Sequence, residues 1–131
     1  MPWVEVFAVF GVCHLAGDFL LQTEWQATTK AGGLRERGPA LRALALHTFT
    51  YTLAFVPALI WLAEGLSAAE VIGVGAIVAL PHFLQDDGWL LDAYMRRVKH
   101  IEPDEHAGLS VAVDQSAHSL ALFLAALVAG V

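Results

Sequence analysis

The 131 residues are 57% hydrophobic and only 15% charged, with a mean hydropathy of +0.60, whereas an ordinary soluble domain carries about a quarter charged residues. That excludes a soluble Rossmann-type enzyme and a disordered binder, and the single cysteine, Cys13, excludes a disulfide scaffold. The formal charge of −6 belongs to the loops of a chain mostly buried in lipid, so it points to no basic partner, and nucleic acid is not expected.

The apolar residues gather into four runs, at about 2–23, 40–63, 67–91 and 108–131, each near the ~20 residues that cross a ~30 Å hydrocarbon core. The expected architecture is all-α: one integral membrane domain, 1–131, folded as a four-helix transmembrane bundle. The first run lacks a basic leader, carries Glu5 and is followed by no small-x-small cleavage site, so it reads as a retained span. The first connection holds Lys30, Arg35, Arg37 and Arg42 among Gly/Pro-punctuated turns. In the second run Pro57 predicts a bend, and the connection after it carries only Glu64 and Glu70. Pro81 predicts a kink in the third run, which a polar cavity makes tolerable in lipid. The third connection holds Arg96, Arg97 and Lys99, and its His100, Glu102, Asp104, Glu105 and His106 read as a solvated charged face. With every basic residue in the first and third connections, those two face the cytoplasm and both termini face outside. Trp3, Trp25, Trp61 and Trp89 near the span ends suit an aromatic belt. Glu24, Asp87 and Asp92 fall at the interface, where hydration is expected.

Seven ionisable residues lie inside the spans, each costing roughly 2.5–3.5 kcal/mol at the centre of a spanning helix. Every span carries a polar pair at i, i+4, on one helix face: His14 and Asp18, His47 and Tyr51, His82 and Asp86, Asp114 and His118. Asp18, His47, Asp86 and Asp114 lie ~8–9 Å from the cytoplasmic ends, and His14, Tyr51, His82 and His118 one turn deeper at ~14–15 Å. Two stacked polar layers follow, with Gln22, Gln85, Gln115, Thr48 and Ser119 as supporting partners. The repeat of His-x3-Asp at His14 and His82 is a weak internal echo, as two hairpins related about the membrane normal produce. Imidazole with carboxylate and no thiolate suits Zn, Mn, Fe or Ni. The metal-ligating set is therefore His14, Asp18, His47, His82, Asp86, Asp114 and His118. Three aspartates around two divalent ions leave about +1, which favours a di-metal site over one ion with a protonated aspartate. Against this stand a buried hydrogen-bond network for the pairs, an interhelical hydrogen bond for His47 and simple aromatic packing for Tyr51.

The run His14-Leu15-Ala16-Gly17-Asp18-Phe19-Leu20-Leu21-Gln22, followed by Leu46-His47 to Tyr51, His82-Phe83-Leu84-Gln85-Asp86 and Asp114-Gln115-x2-His118, resembles the pattern of a family of small bacterial integral membrane proteins known only as a domain of unknown function. Gly17 stands where that family's pattern has alanine. The resemblance covers nearly the whole chain and implies a multi-pass protein of the bacterial inner membrane with this His/Asp set, and it brings no reaction.

The leading expectation is a metal-dependent hydrolase acting from the cytoplasmic side on a lipid-like substrate. In it His14, His82 and His118 hold a Zn-like ion, and Asp18, Asp86 and Asp114 bind a second ion or act as general base. Arg35, Arg37, Arg42, Arg96, Arg97 and Lys99 at the mouth attract an anionic group. The alternative is a divalent-cation or proton binding and transport protein, which with so few spans needs a homo-oligomer. The third is a haem b protein with facing histidines.

Overall fold

The computed structural model describes residues 1–130 and is all-helical, with no strand among them. Helix α1, Trp3–Leu15, starts behind Pro2, whose fixed φ suits a helix entrance. It runs into a π-helical turn, Ala16–Leu20, closed by the Leu21 amide donating to the Ala16 carbonyl at 2.9 Å. A wider turn of this kind places both Gly17 and Asp18 on the buried side. Short α2, Glu24–Thr29, begins at a capping box in which the Thr23 hydroxyl and the Gln26 side chain accept each other's backbone amides. Gly32, at φ 74°, turns the chain into α3, Gly33–Glu36.

α4, Gly38–Ala54, and α5, Val56–Leu62, meet at a 45° bend at Phe55 beside Pro57, the bend expected there. α6, Ala68–Asp86, is launched by a Ser67/Glu70 capping box and continues as α-helix through Pro81. It ends at Asp86, short of the expected 91, because Gly88 at φ 81° breaks the helix and a separate one, α7, Trp89–Tyr94, begins after it. A π-helical turn, Met95–Lys99, and a 3-10 turn, Pro103–His106, then lead into α8, Ala107–Ala129.

Three helical stretches, Trp3–Leu20, Ala68–Asp86 and Pro103–Ala129, are long and apolar enough to cross a membrane, and the bent pair α4 and α5 makes a fourth if it is one span. Their outward faces are apolar: Val12, Phe49, Ile60, Ile72, Leu80, Leu124 and Val128 all lie exposed. Inside, one half of the molecule is a packed core of Val6, Phe10, Phe55, Leu62, Val74, Val78, Leu122 and the alanines of α8. Lipid tails are as apolar as these side chains, so close packing and not water exclusion must hold such helices together. Gly130 illustrates it, since a Cβ there would stand 2.5 Å from the Trp3 Cα. The interior also holds polar side chains: His14, Asp18, His47, His82, Asp86 and His118 are all buried.

The first connection is not a free loop. The Gly32 amide donates to the Asp87 carbonyl at 2.8 Å, and the Leu34 amide to the Asp87 carboxylate at 2.7 Å. Asp87 is buried, so the hydration expected of it does not occur: its side chain clamps α3 to the end of α6.

Candidate metal centre

Four buried side chains from three elements converge: Asp18 from the π-helical turn, His47 from α4, and His82 and Asp86 from successive turns of α6. One ligand atom from each lies within 4.8 Å of all the others. His47 Nε2 stands 3.2 Å from Asp18 Oδ1 and 2.8 Å from Asp86 Oδ2. His82 Nε2 stands 3.6 and 3.2 Å from the same two oxygens. The two Nε2 atoms face each other at 3.1 Å. An ion bound tetrahedrally at about 2.0–2.1 Å needs donors roughly 3.3–3.4 Å apart, and these separations bracket that value.

Hydrogen bonding alone serves this arrangement poorly. Both Nε2 atoms lie against both carboxylates and against each other. If one ring donates its proton, the other turns a lone pair toward anionic oxygens; if both carry protons, two N–H groups oppose each other. A cation among the four donors removes the conflict, because each nitrogen then offers a lone pair and each carboxylate a charge.

A ring of partners surrounds the four. The Asp114 carbonyl accepts from His118 Nδ1 at 2.9 Å, and His118 Nε2 lies 3.4 Å from Asp86 Oδ1, buried and without a hydrogen-bond partner. His14 Nε2 donates to Gln115 Oε1 at 3.0 Å, and the Tyr51 hydroxyl meets His14 Nδ1 at 3.1 Å. The Tyr51 ring lies flat on His82, centroids 3.4 Å apart, so its role is the packed one expected of it. Gly17 makes room: a Cβ there would stand 2.6 Å from Tyr51 Cδ2.

The two expected layers are therefore merged. His82, placed in the deeper layer, converges with Asp18, Asp86 and His47 of the shallower one. His14 and His118 stand beside the four, 3.7 Å from Asp18 Oδ2 and 3.4 Å from Asp86 Oδ1 respectively. The imidazoles of His14, His82 and His118 do not form one donor set among the described residues. Asp114 is also apart: a quarter of its side chain is exposed, and it takes a hydrogen bond from Gln115 and lies 3.6 Å from His118 Nδ1. Thr48 and Ser119 bond backbone carbonyls of their own helices.

Sequence reasoning missed Lys30. Counted with the loop cations, it folds back so that its ammonium lies 2.7 Å from Asp86 Oδ2 and 2.5 Å from Gln22 Oε1. The remaining basic residues, Arg35, Arg37, Arg42, Arg96, Arg97 and Lys99, are exposed, and Arg96 pairs with Glu102. Lys30 also changes the charge count. Asp18, Asp86 and Lys30 with one divalent ion leave about +1, whereas two ions leave about +3.

An all-helical chain with three or four apolar spans and a buried Asp/His cluster able to hold a metal ion is the class these features define. The chain belongs to the family described as "Protein of unknown function (DUF3307)", whose model matches residues 6–131. No curated protein and no solved structure matches it.

Proposed function

We propose that the chain is a single-domain, four-helix membrane bundle that binds one divalent ion of the Zn, Mn or Fe class through Asp18, His47, His82 and Asp86. In this reading it is a hydrolase of a lipid-like substrate, reached from the cytoplasmic side of a bacterial inner membrane. The observation that carries the metal reading is the facing pair of Nε2 atoms, 3.1 Å apart between two carboxylates. Such an ion, when bound, lowers the pKa of its water to roughly 7 and supplies hydroxide at neutral pH. The chain's own residues supply the rest. Asp86 and Asp18 hold charge at the centre, while His118 is oriented by the Asp114 carbonyl. Asp114, outside the donor set and partly exposed, is the carboxylate placed to take up a proton, at Oδ2 beside His118 Nδ1.

One observation favours the second reading, a cation-binding or transporting homo-oligomer. Four protein donors complete a tetrahedral shell, and a closed shell leaves no position for substrate. An ion that accepts six ligands keeps two positions open and restores the hydrolase. Haem ligation draws no support, since His47 and His82 face each other too closely to flank one iron.

Elemental analysis of the purified full chain, with an X-ray absorption spectrum, tests this reading. One ion per chain with five or six ligands supports the hydrolase, one with four protein ligands only supports cation binding, and absence of any bound divalent ion overturns both.

A further inference from the structure

The four side chains of the cluster are closed off from solvent. Asp18, His47, His82 and Asp86 are at most 8% exposed, so a hydrated ion reaches them only if part of the fold moves. Tyr51, stacked on His82, joins them to the packed core through Phe55 and Phe10. Toward the first connection the cover is thin. There Lys30 lies across Asp86, its side chain 15% exposed and its ammonium shared between Asp86 Oδ2 and Gln22 Oε1.

The segment that carries Lys30 is fastened to α6 at few points. Residues 30–34 reach two consecutive aspartates: Lys30 meets the Asp86 carboxylate, the Gly32 amide donates to the Asp87 carbonyl and the Leu34 amide to the Asp87 carboxylate. All three contacts can part without breaking a hydrogen bond inside a helix. Both ends of the segment are jointed. Residues 21–23, before α2, lie in no helix, and between α3 and α4 Arg37 stands at φ 57°, ψ −156°, followed by Gly38 at φ 56°. Only glycine holds the Arg37 conformation without strain, and strain of this kind gathers where a segment clamps or switches. Gly33 sets the pivot. A Cβ there would stand 2.9 Å from the Ala40 carbonyl, so α3 rests on the first turn of α4 and lifts from α6 about that contact.

We propose that residues 30–34 are a strap that opens to admit a divalent ion to the cluster and closes again over it, latched by Lys30 on Asp86 and by the two amides on Asp87. Segments that move for a ligand are those held by few, separable contacts. The other walls belong to longer helices, with His14 on α1, His47 on α4, His82 on α6 and His118 on α8. The inference rests on the metal reading, and it concerns how fast an ion exchanges, not how tightly it is held.

The test follows uptake and release of Zn2+ by the full chain in nanodiscs, with the strap free and with it tied. Zn2+ is the probe because a nitrogen and oxygen site binds it more tightly than Mn2+ or Fe2+. A Cβ at Gly88 would stand 4.0 Å from the Ala31 Cβ, within the span of about 3.5–4.5 Å that a disulfide bridges. Ala31→Cys with Gly88→Cys, in a Cys13→Ala background, therefore ties the strap shut when oxidised. Relative to the Cys13→Ala parent, the tied protein is expected to take up and release Zn2+ about tenfold or more slowly, with affinity and stoichiometry unchanged. Reduction and capping of both thiols with iodoacetamide should return the rates to those of the parent or above them. Asp87→Ala removes the side-chain part of the latch and is expected to speed uptake and release about tenfold at the same stoichiometry. That variant decides alone if the paired cysteines, one of them at a glycine with φ 81°, prevent folding. A tied protein that exchanges Zn2+ as fast as its parent, or an Asp87→Ala protein that exchanges it no faster, would overturn the strap and leave the metal centre intact, with the ion entering past the partly exposed Asp114 instead. A chain that takes up no Zn2+ with the strap free refutes the metal centre itself.

Discussion

Asp86 sits among four titratable partners. Its Oδ2 faces Lys30, His47 and His82, and its Oδ1 faces His118. Asp86→Asn keeps the shape and removes the charge, so bound divalent ion in the purified protein is expected to fall to about a tenth or less of the wild-type stoichiometry. Asp104→Asn, in the exposed turn before α8, should leave it unchanged; equal metal content in both variants would remove the basis for an ion. Lys30 acts in the opposite sense. Its ammonium competes for the oxygen an ion needs, and it repels a divalent charge a few ångströms away. Lys30→Met is therefore expected to tighten metal binding about tenfold, some 1.4 kcal/mol, in a competition titration. Weaker binding would mean that the lysine orients Asp86 more than it competes with the ion. The histidines and aspartates were legible in the sequence because an ionisable group within a span is costly enough to demand a reason. Lys30 was not, because hydropathy places it in a loop and is blind to the fold-back that returns it to Gln22 and Asp86.

At the level of elements, the span cores followed from apolar run lengths, while their ends depended on single residues of special backbone geometry. Gly88 ends α6 five residues before the apolar run does, and the π-helical turn that carries Asp18 on the buried side left no mark in the apolar pattern. The same holds for the clamp. Asp87 looks like an interfacial carboxylate in sequence, yet it accepts the Leu34 amide and its carbonyl accepts that of Gly32. Losing a buried carboxylate acceptor and leaving an amide unpaired costs about 1–3 kcal/mol, so Asp87→Ala is expected to lower the melting temperature in detergent. It should also loosen the segment that carries Lys30 and raise the reactivity of that lysine toward an acylating reagent. Gly33→Ala strikes the same connection from the other side, since its Cβ would stand 2.9 Å from the Ala40 carbonyl. An Asp87→Ala protein with wild-type melting and wild-type lysine reactivity would show that the clamp holds nothing in place.

For the whole molecule, the distribution of charge and the position of the cluster bear on the same question. Basic residues gather in the first and third connections, and Asp18 and Asp86 lie at the helix ends that lead into those connections, with Lys30 of the first connection folded onto Asp86. If basic connections stay in the cytoplasm, ion and substrate both arrive from that side, and the packed apolar half seals the other. Cys13 is the only cysteine, so topology can be read directly by labelling in a Cys13→Ala background. Glu64→Cys, in the exposed turn after α5, should react with a membrane-impermeant maleimide added to intact cells. Glu105→Cys, in the turn before α8, should react only after the membrane is opened. The opposite labelling would place the cluster next to the external face. Lys30, Lys99 and the arginines would then meet substrate from outside, and a lipid drawn from the cytoplasmic leaflet would have the full thickness of the apolar core between it and the Asp/His cluster.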